Sequence, residues 1–472
     1  MFELHHLSAQ EQWQWLQQGE VTPLELTDHY LERIDRLDGA LGAFVTVTPD
    51  AARRRAETVA RAVSKAAPLW GLPFADKDLS LRAGVPAKFG SRLMANHVPL
   101  ENDRLPQDLD AAGGVSLGKT NTPEFGYTAY TEPLAAEPAR NPYNLSLGAG
   151  GSSGGAALAV AAGLLPFAPG SDAGGSIRIP AAAVGLVGLK PSRGLVPSGS
   201  GLDSYSGLSV AGPIARTVAD AAMMLDALIG DGPFPYAVRA PRWSEGPLLG
   251  AAVRGEGRFQ LGVMVSSPWD DDYAVQVSAE ASAALALAVR ELDALGHGLD
   301  TLSLQPDASY APAFRTVWQA SAAAIPAESD EHLALLEPLT RWLVARGREL
   351  SARQLGEALE AFASYEKSVI RQFAPFDAVL TPALALTPRP LGWYDADNPE
   401  RNFAQQTAYT PFTSLANVCG LPAIVLPVDV TAEGLPMGVQ LIGRPGGEHV
   451  LLAIGAQLER RLNWQRRHPP QW

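Results

Sequence analysis

A lysine closing a short apolar segment and two serines set in glycine-rich turns are the side chains of this sequence best suited to covalent chemistry. They lie in Gly71-Leu72-Pro73-Phe74-Ala75-Asp76-Lys77-Asp78, in Gly150-Gly151-Ser152-Ser153-Gly154-Gly155, and in Gly170-Ser171-Asp172-Ala173-Gly174-Gly175-Ser176-Ile177-Arg178-Ile179-Pro180. Side chains of an extended segment alternate between faces. Pro73, Ala75 and Lys77 therefore share one face, and Leu72, Phe74, Asp76 and Asp78 the other. This aims the lysine away from its acidic neighbours and towards small residues, where poor solvation lowers an amine's pKa and suits it to act as a base. Taken alone, such a lysine also fits a strand end that reaches solvent or pairs with an acid. In 172–176, Gly174 and Gly175 let successive N–H groups turn into one hollow beside the Ser176 hydroxyl, an arrangement able to hold an oxyanion. A tight structural turn fits the same letters. Ser152, at the mouth of an alanine-rich stretch, fits a helix N-cap.

Two shorter patterns compete with this constellation. Gly113-Gly114-Val115-Ser116-Leu117-Gly118-Lys119-Thr120 matches the phosphate-loop pattern and would make the chain a nucleotide-binding module. That chemistry needs a strand before the loop and a helix opening at the Lys-Thr pair. Here LPQDLDAAG reads as a helix before it, and Asn121-Thr122-Pro123 is poor helix material after it, so the segment reads as a helix–strand turn. Gly151-Ser152-Ser153-Gly154-Gly155 fits the nucleophile elbow of α/β-hydrolases, which requires a preceding strand and a downstream histidine. The preceding RNPYNLSLGAG is turn-like, and His297, His332, His449 and His468 are scattered singly.

The elements that must position these residues are legible in part. Ser8…Glu11 and Thr22…Glu25 have capping-box spacing, the second with Pro23 at the first helical position. Tyr30, Leu31, Ile34 and Leu37 form an apolar helical stripe that Asp38-Gly39 is expected to break; a third helix spans about 51–65, and a strand lies near 69–75. From 113 to 212 glycine, serine and alanine dominate around buried-type runs at 156–162 and 186–189, the signature of closely approaching backbones. Residues 231–257 read as a surface excursion, 260–265 as a strand and 273–296 as a helix; more helices follow to about 373, one capped at Ser351…Gln354. Strands at 378–381, 423–427 and 438–442 and a helix at 448–462 close the chain. Strands interleaved with helices predict an α/β fold with a mostly buried sheet, in one domain with insertions.

Composition bounds the partners. The 472 residues are 46% hydrophobic and 18% charged, enough to bury a large core without staples. Acidic residues outnumber basic ones by 50 to 37, for a net charge of −13, which argues against a nucleic-acid or anionic-membrane surface. A single cysteine, Cys419, excludes an internal disulfide and a multi-cysteine zinc site. The opening MFELHHLSAQEQWQW lacks signal-peptide character and no run is long enough to span a membrane, so a cytoplasmic location is expected. No signal specifies an oligomeric state.

Together the three segments closely resemble the amidase signature family of serine hydrolases; Ser152 and Ser176 stand 24 positions apart, as that family's serine pair does. The resemblance extends through Leu117-Gly118-Lys119-Thr120-Asn121-Thr122-Pro123-Glu124-Phe125, Gly188-Leu189-Lys190-Pro191-Ser192-Arg193-Gly194, 212–220, Gly420-Leu421-Pro422-Ala423 and 434–440. It covers a signature core at about 70–220 and a C-terminal return at 375–472, and hardly touches a variable insertion at about 230–370. What it implies is a single amidase domain with a mixed β-sheet core covered by helices on both sides, and a Ser–cis-Ser–Lys triad. Ser176 is then the nucleophile, Ser152 the bridging serine held by a cis peptide, and Lys77 the base. Ala173, Gly174, Gly175 and Ser176 would supply oxyanion amides, and the backbone near Gly126 would line the acyl site. No metal or cofactor is implied. One departure is Asp76, where family members often carry a small apolar residue before the lysine.

The implied substrates are small-molecule amides, with esters and carbamates (urethanes) as further possibilities, cleaved through an acyl-enzyme. One branch of the family is the glutaminase component of a tRNA amidotransferase, a second reading. Specificity is expected in 300–415 and after Glu124. Phe125, Tyr127, Tyr130, Trp393, Tyr394, Phe403, Tyr409 and Phe412 are aromatic side chains available there, so an apolar or aryl pocket is expected, with Phe125, Gly126 and Tyr130 at the substrate.

Overall fold

The computed structural model describes residues 3–197, 206–229, 245–470 and 472; the surface excursion expected at 231–257 lies outside the described residues up to position 244. Its first three strands, β1 (Phe44–Val47), β2 (Pro73–Lys77) and β3 (Val115–Thr120), form a small sheet in the order β1-β3-β2. Eight further strands form the main sheet. They are β4 (Phe167–Asp172), β5 (Val187–Lys190), β6 (Val210–Ala215), β7 (Gln260–Val263), β8 (Gly298–Thr301), β9 (Ala378–Pro382), β10 (Ala423–Val430) and β11 (Pro436–Gly443). Their order is β4-β6-β5-β10-β11-β9-β7-β8. The β7–β8 and β7–β9 pairs are parallel and the others antiparallel, so the sheet is mixed. Strands from the signature core and the C-terminal return meet directly where β5 pairs with β10, Ala423 opposite Lys190.

The glycine- and alanine-rich composition of 113–212 follows from what it must fit between. All eight residues of the helix Gly154–Ala161 are buried. A Cβ on Gly155 would collide with the backbones of Asn121 and Ala43, so only glycine permits this helix to lie against the small sheet. Continuous apolar runs are what strands and helices covered on every side require.

Both capping boxes form at the N-terminus, over Ala9–Gln18 and Pro23–Leu41. The second helix runs through Asp38-Gly39 rather than breaking there. The Asp38 carboxylate accepts the N–H groups of Ala43 and Phe44 beyond the helix end, and Gly42 supplies the left-handed cap. The strand expected near 69–75 begins later, at Pro73, because Leu69 and Gly71 give their N–H groups to the turn carbonyls of Ala112 and Gly113. The helix placed at 273–296 is shorter, Ala279–Ala294. The phosphate-loop look-alike is a helix end followed by β3, with Lys119 buried inside the strand. Its amine is held by the Ser80 carbonyl and lies 3.6 Å from Asp78, so it faces no open loop. Among the described residues no helix is long and apolar enough to cross a membrane.

Candidate active site

Lys77 ends β2 with its side chain almost wholly buried. β2 runs parallel to β3 in the pairs Phe74–Ser116 and Lys77–Thr120, with one irregularity between them where β3 carries an extra residue. The alternation of β2 survives it. Asp76 turns to the opposite side, where Arg82 Nε (2.6 Å), Arg82 Nη2 (3.3 Å) and Ser116 Oγ (2.8 Å) donate to its carboxylate. Burial alone would raise the Asp76 pKa, but Arg82 wins and holds it below the ordinary carboxylate range. The unusual acid beside the lysine is thereby committed elsewhere. Lys77 Nζ lies 2.8 Å from Ser152 Oγ, 3.0 Å from Ser171 Oγ and 3.4 Å from the Ser171 carbonyl. Its partners are hydroxyls and a carbonyl. Burial lowers its pKa to about 7 against the opposing pull of the Asp172 carboxylate, so a large fraction of the amine is uncharged at neutral pH.

Ser152 follows a cis peptide bond from Gly151. It is not the helix cap: Ser153 takes that position, while the Ser152 carbonyl accepts the Thr122 hydroxyl at 3.0 Å. The N–H of Ser153 donates to the Ser176 carbonyl at 3.1 Å, tying the two serine segments together. Ser176 lines the adjoining cleft. No hydrogen bond joins the Ser152 and Ser176 hydroxyls among the described residues.

The turn carrying Ser176 is organised by Asp172. This buried carboxylate accepts Arg178 Nε (3.0 Å) and Nη2 (2.9 Å), Asn417 Nδ2 (2.8 Å), and the N–H groups of Gly175 (2.8 Å) and Ile177 (3.1 Å). Burial pushes its pKa up, and the Arg178 charge overrides this to leave it at about 2, ionised throughout the working range. Of the four N–H groups expected as oxyanion donors, one already has a partner. The Gly175 N–H is spent on Asp172, whereas no protein acceptor pairs with the N–H groups of Ala173, Gly174 or Ser176 among the described residues.

The open cleft beside Ser176 spans about 500 Å³ when the solvent in its mouth is included. The segment 126–129, Gly174 and Ile179 line one part of it, and Trp269, Phe314, Trp318 and Phe403 form an aromatic wall. The rings interlock edge to face or stacked: Trp269–Phe314 at 5.2 Å, Phe314–Trp318 at 5.4 Å and Tyr127–Trp318 at 5.5 Å between centroids. Gln406, Thr407, Thr410 and Ser414 supply the polar edge, and among the described residues no charged side chain lines the space. Gly126, in the left-handed conformation, passes close to the Ser152 hydroxyl: a Cβ there would lie 3.3 Å from Ser152 Oγ.

Of the aromatic residues named from sequence, Tyr127 and Phe403 reach the cleft. Phe125 does not; it turns into a separate apolar cluster with Leu79 and Phe89 because its own backbone is left-handed (φ 48°). Tyr130 does not either, being stacked on Tyr394 at 4.0 Å with its hydroxyl accepting from Asn402 Nδ2. Trp269, Phe314 and Trp318 carry no mark in the sequence because they come from a stretch without a recognised motif, where nothing local separates a cleft aromatic from a core one. Arg178, Thr413 and Asn417, which hold the Asp172 turn, are equally unmarked. The only sequence signal is an arginine inside an otherwise apolar run.

A mixed-sheet α/β fold that buries a lysine amine against hydroxyls beside an aromatic cleft points to an enzyme class, and the relatives specify which. Residues 25–452 match the family model described as Amidase. Amidase AmiB2 of Mycobacterium bovis is 37% identical over 478 residues, covering 99% of this chain and 98% of that protein. A component of the glutamyl-tRNA(Gln) amidotransferase of a Roseiflexus species is 34% identical, covering 99% and 98%. Among solved structures, 6-aminohexanoate cyclic dimer hydrolase superposes with a TM-score of 0.90 at 30% identity over the whole of both chains. A bacterial aryl acylamidase of the amidase signature family superposes with a TM-score of 0.86 at 27% identity, covering 98% and 97%. The chain belongs to the amidase signature family and is a hydrolase acting on amide bonds.

Proposed function

We propose that this protein hydrolyses small apolar or aryl amides through an acyl-enzyme on Ser176, with Ser152 as relay and Lys77 as base. The observation that carries the assignment is the 2.8 Å contact between a buried, weakly basic Lys77 amine and Ser152 Oγ. In the reaction, Ser176 Oγ attacks the carbonyl carbon while its proton passes to Ser152 Oγ and the Ser152 proton passes to Lys77 Nζ. The amides of Ala173, Gly174 and Ser176, which have no acceptor among the described residues, receive the oxyanion, where each such donor contributes a factor of about 10²–10³. The ammonium then returns its proton through Ser152 to the leaving nitrogen as the C–N bond breaks, and water releases the acyl group by the same relay. Ester and carbamate carbonyls meet the same groups, so esterase and urethanase activity accompany amide hydrolysis.

The aromatic, uncharged lining supports neutral apolar substrates. It also weighs against the glutaminase reading, since free glutamine carries an ammonium and a carboxylate that no charged side chain among the described residues of the cleft would meet. The test is a panel of 4-nitroanilides, aryl esters and aryl carbamates beside glutamine, with a serine-directed phosphonate located by mass spectrometry. Turnover of the aryl panel and a label on Ser176 are expected. Ammonia release from glutamine alone, or a label elsewhere, overturns the proposal.

A further inference from the structure

The peptide group between Gly174 and Gly175 is gripped at both ends. Its carbonyl accepts the Thr413 hydroxyl at 2.6 Å, and its N–H donates to Asp172 Oδ1 at 2.8 Å. Thr413 belongs to a distant part of the chain, directly ahead of the short helix Ser414–Val418. A threonine there ordinarily caps its helix with the side chain. This one makes no such bond, and its hydroxyl goes to Gly174 with a longer contact of 3.3 Å to the Thr410 carbonyl. Thr413 is itself fully buried, and its own carbonyl accepts Arg178 Nη1 at 2.8 Å, so the arginine that holds Asp172 also anchors Thr413.

A Gly-Gly peptide is the unit of a chain most free to rotate. Rotating this one would swing an acceptor oxygen towards the hollow where the neighbouring N–H groups must converge on negative charge. We infer that Thr413 is a positioning residue for the oxyanion pocket, locking the Gly174–Gly175 peptide so that the amides on either side stay aimed at the reacting carbonyl. This rests on the serine-hydrolase reading given above. Such a residue acts on the transition state and hardly on the bound substrate, which separates it from one that merely stabilises the fold.

The experiment compares Thr413→Val, which keeps the shape and removes the hydroxyl, with Thr413→Ser, which keeps the hydroxyl, on one 4-nitroanilide. Thr413→Val is expected to lower kcat about 10–100-fold. Its KM should stay within about threefold and phenylboronic acid inhibition should weaken in parallel with kcat, while Thr413→Ser recovers to within about threefold of the parent. Should Thr413→Val fail to fold, Thr413→Ala takes its place with the same expectation. Unchanged kcat in the hydroxyl-free variant, a change confined to KM, or a serine variant as poor as the valine one overturns the inference. A parent enzyme that resists phenylboronic acid and survives Ser176→Ala instead overturns the underlying reading, and the two failures are distinguishable.

Discussion

The floor and the wall of the cleft are built on opposite terms. The floor, from Lys77 through Ser152 to the 172–178 turn, is a set of buried polar groups in which Lys77, Asp172, Arg178 and Thr413 make hydrogen bonds of 2.6–3.4 Å. Arg178, at its centre, has a fully buried side chain. The wall is a set of interlocked rings drawn from three separate stretches, with Trp318 and Phe403 only half-buried. Burying charge is tolerable only when every partner is present, so the Asp172–Arg178 part of the floor admits almost no substitution without loss of stability. Ring contacts are short-ranged and individually small, so the wall can be rebuilt piecemeal. On the proposed mechanism, catalysis is thereby separated from selection within a few ångströms.

The sharpest way to break this comparison is at the floor. Ser176→Ala is expected to lower kcat by about 10⁴–10⁶-fold, and Lys77→Ala by a comparable factor. The melting temperature should hold in both, read by calorimetry. Appreciable turnover in either would remove the floor from the chemistry. Asp172→Asn should act on stability instead, costing about 3–5 kcal/mol in urea unfolding because Arg178 loses its buried counter-charge. Truncating the wall should leave stability nearly intact: Trp318→Ala raises KM for aryl amides about tenfold while leaving kcat for a small acyl amide alone. A collapse of kcat on that small substrate would show that wall and floor are not separate.

Titration sharpens the contrast. With Lys77 near pKa 7, kcat/KM should climb about tenfold per pH unit below that point and level off above it. A flat profile from pH 5 to 8, with chemistry rate-limiting, counts against an uncharged lysine base. The smallest effect is on stability. The folded-state pKa of Lys77 is depressed, so between about pH 7 and the usual lysine value near 10.4 the unfolded chain binds the extra proton and stability rises with pH. Lys190, also lowered to about 7 by burial, adds a similar slope. Lys77→Met should therefore flatten the rise in melting temperature from pH 7 to 9 without abolishing it. An unchanged slope would mean Lys77 is charged in the folded protein.

The same division explains what is legible in the letters alone. Capping boxes at Ser8, Thr22 and Ser351 sit where their residues place them, because a cap is satisfied within four residues. The period-2 pattern sends Lys77 and Asp76 to opposite sides, and the structure does likewise. Helix ends at Asp38 and Ala279 differ from the sequence expectation, since a helix stops where tertiary partners take over its end groups. Phe125 and Tyr130 miss the cleft for a related reason: one backbone dihedral and one stacking partner turn each ring away from it.

Residue types and local spacing were enough to determine the family, the α/β alternation, and the lysine and two serines offered to chemistry, because each is a property of a short stretch of chain. Tertiary structure alone decided that Asp76 is taken by Arg82, that Gly175 surrenders its amide to Asp172, that Thr413 reaches Gly174, and that Trp269, Phe314 and Trp318 line the cleft beside Ser176. Those outcomes depend on which of many compatible hydrogen-bond and ring partners lies within a few ångströms in the folded chain, and partners remote in sequence leave no periodic trace in the letters.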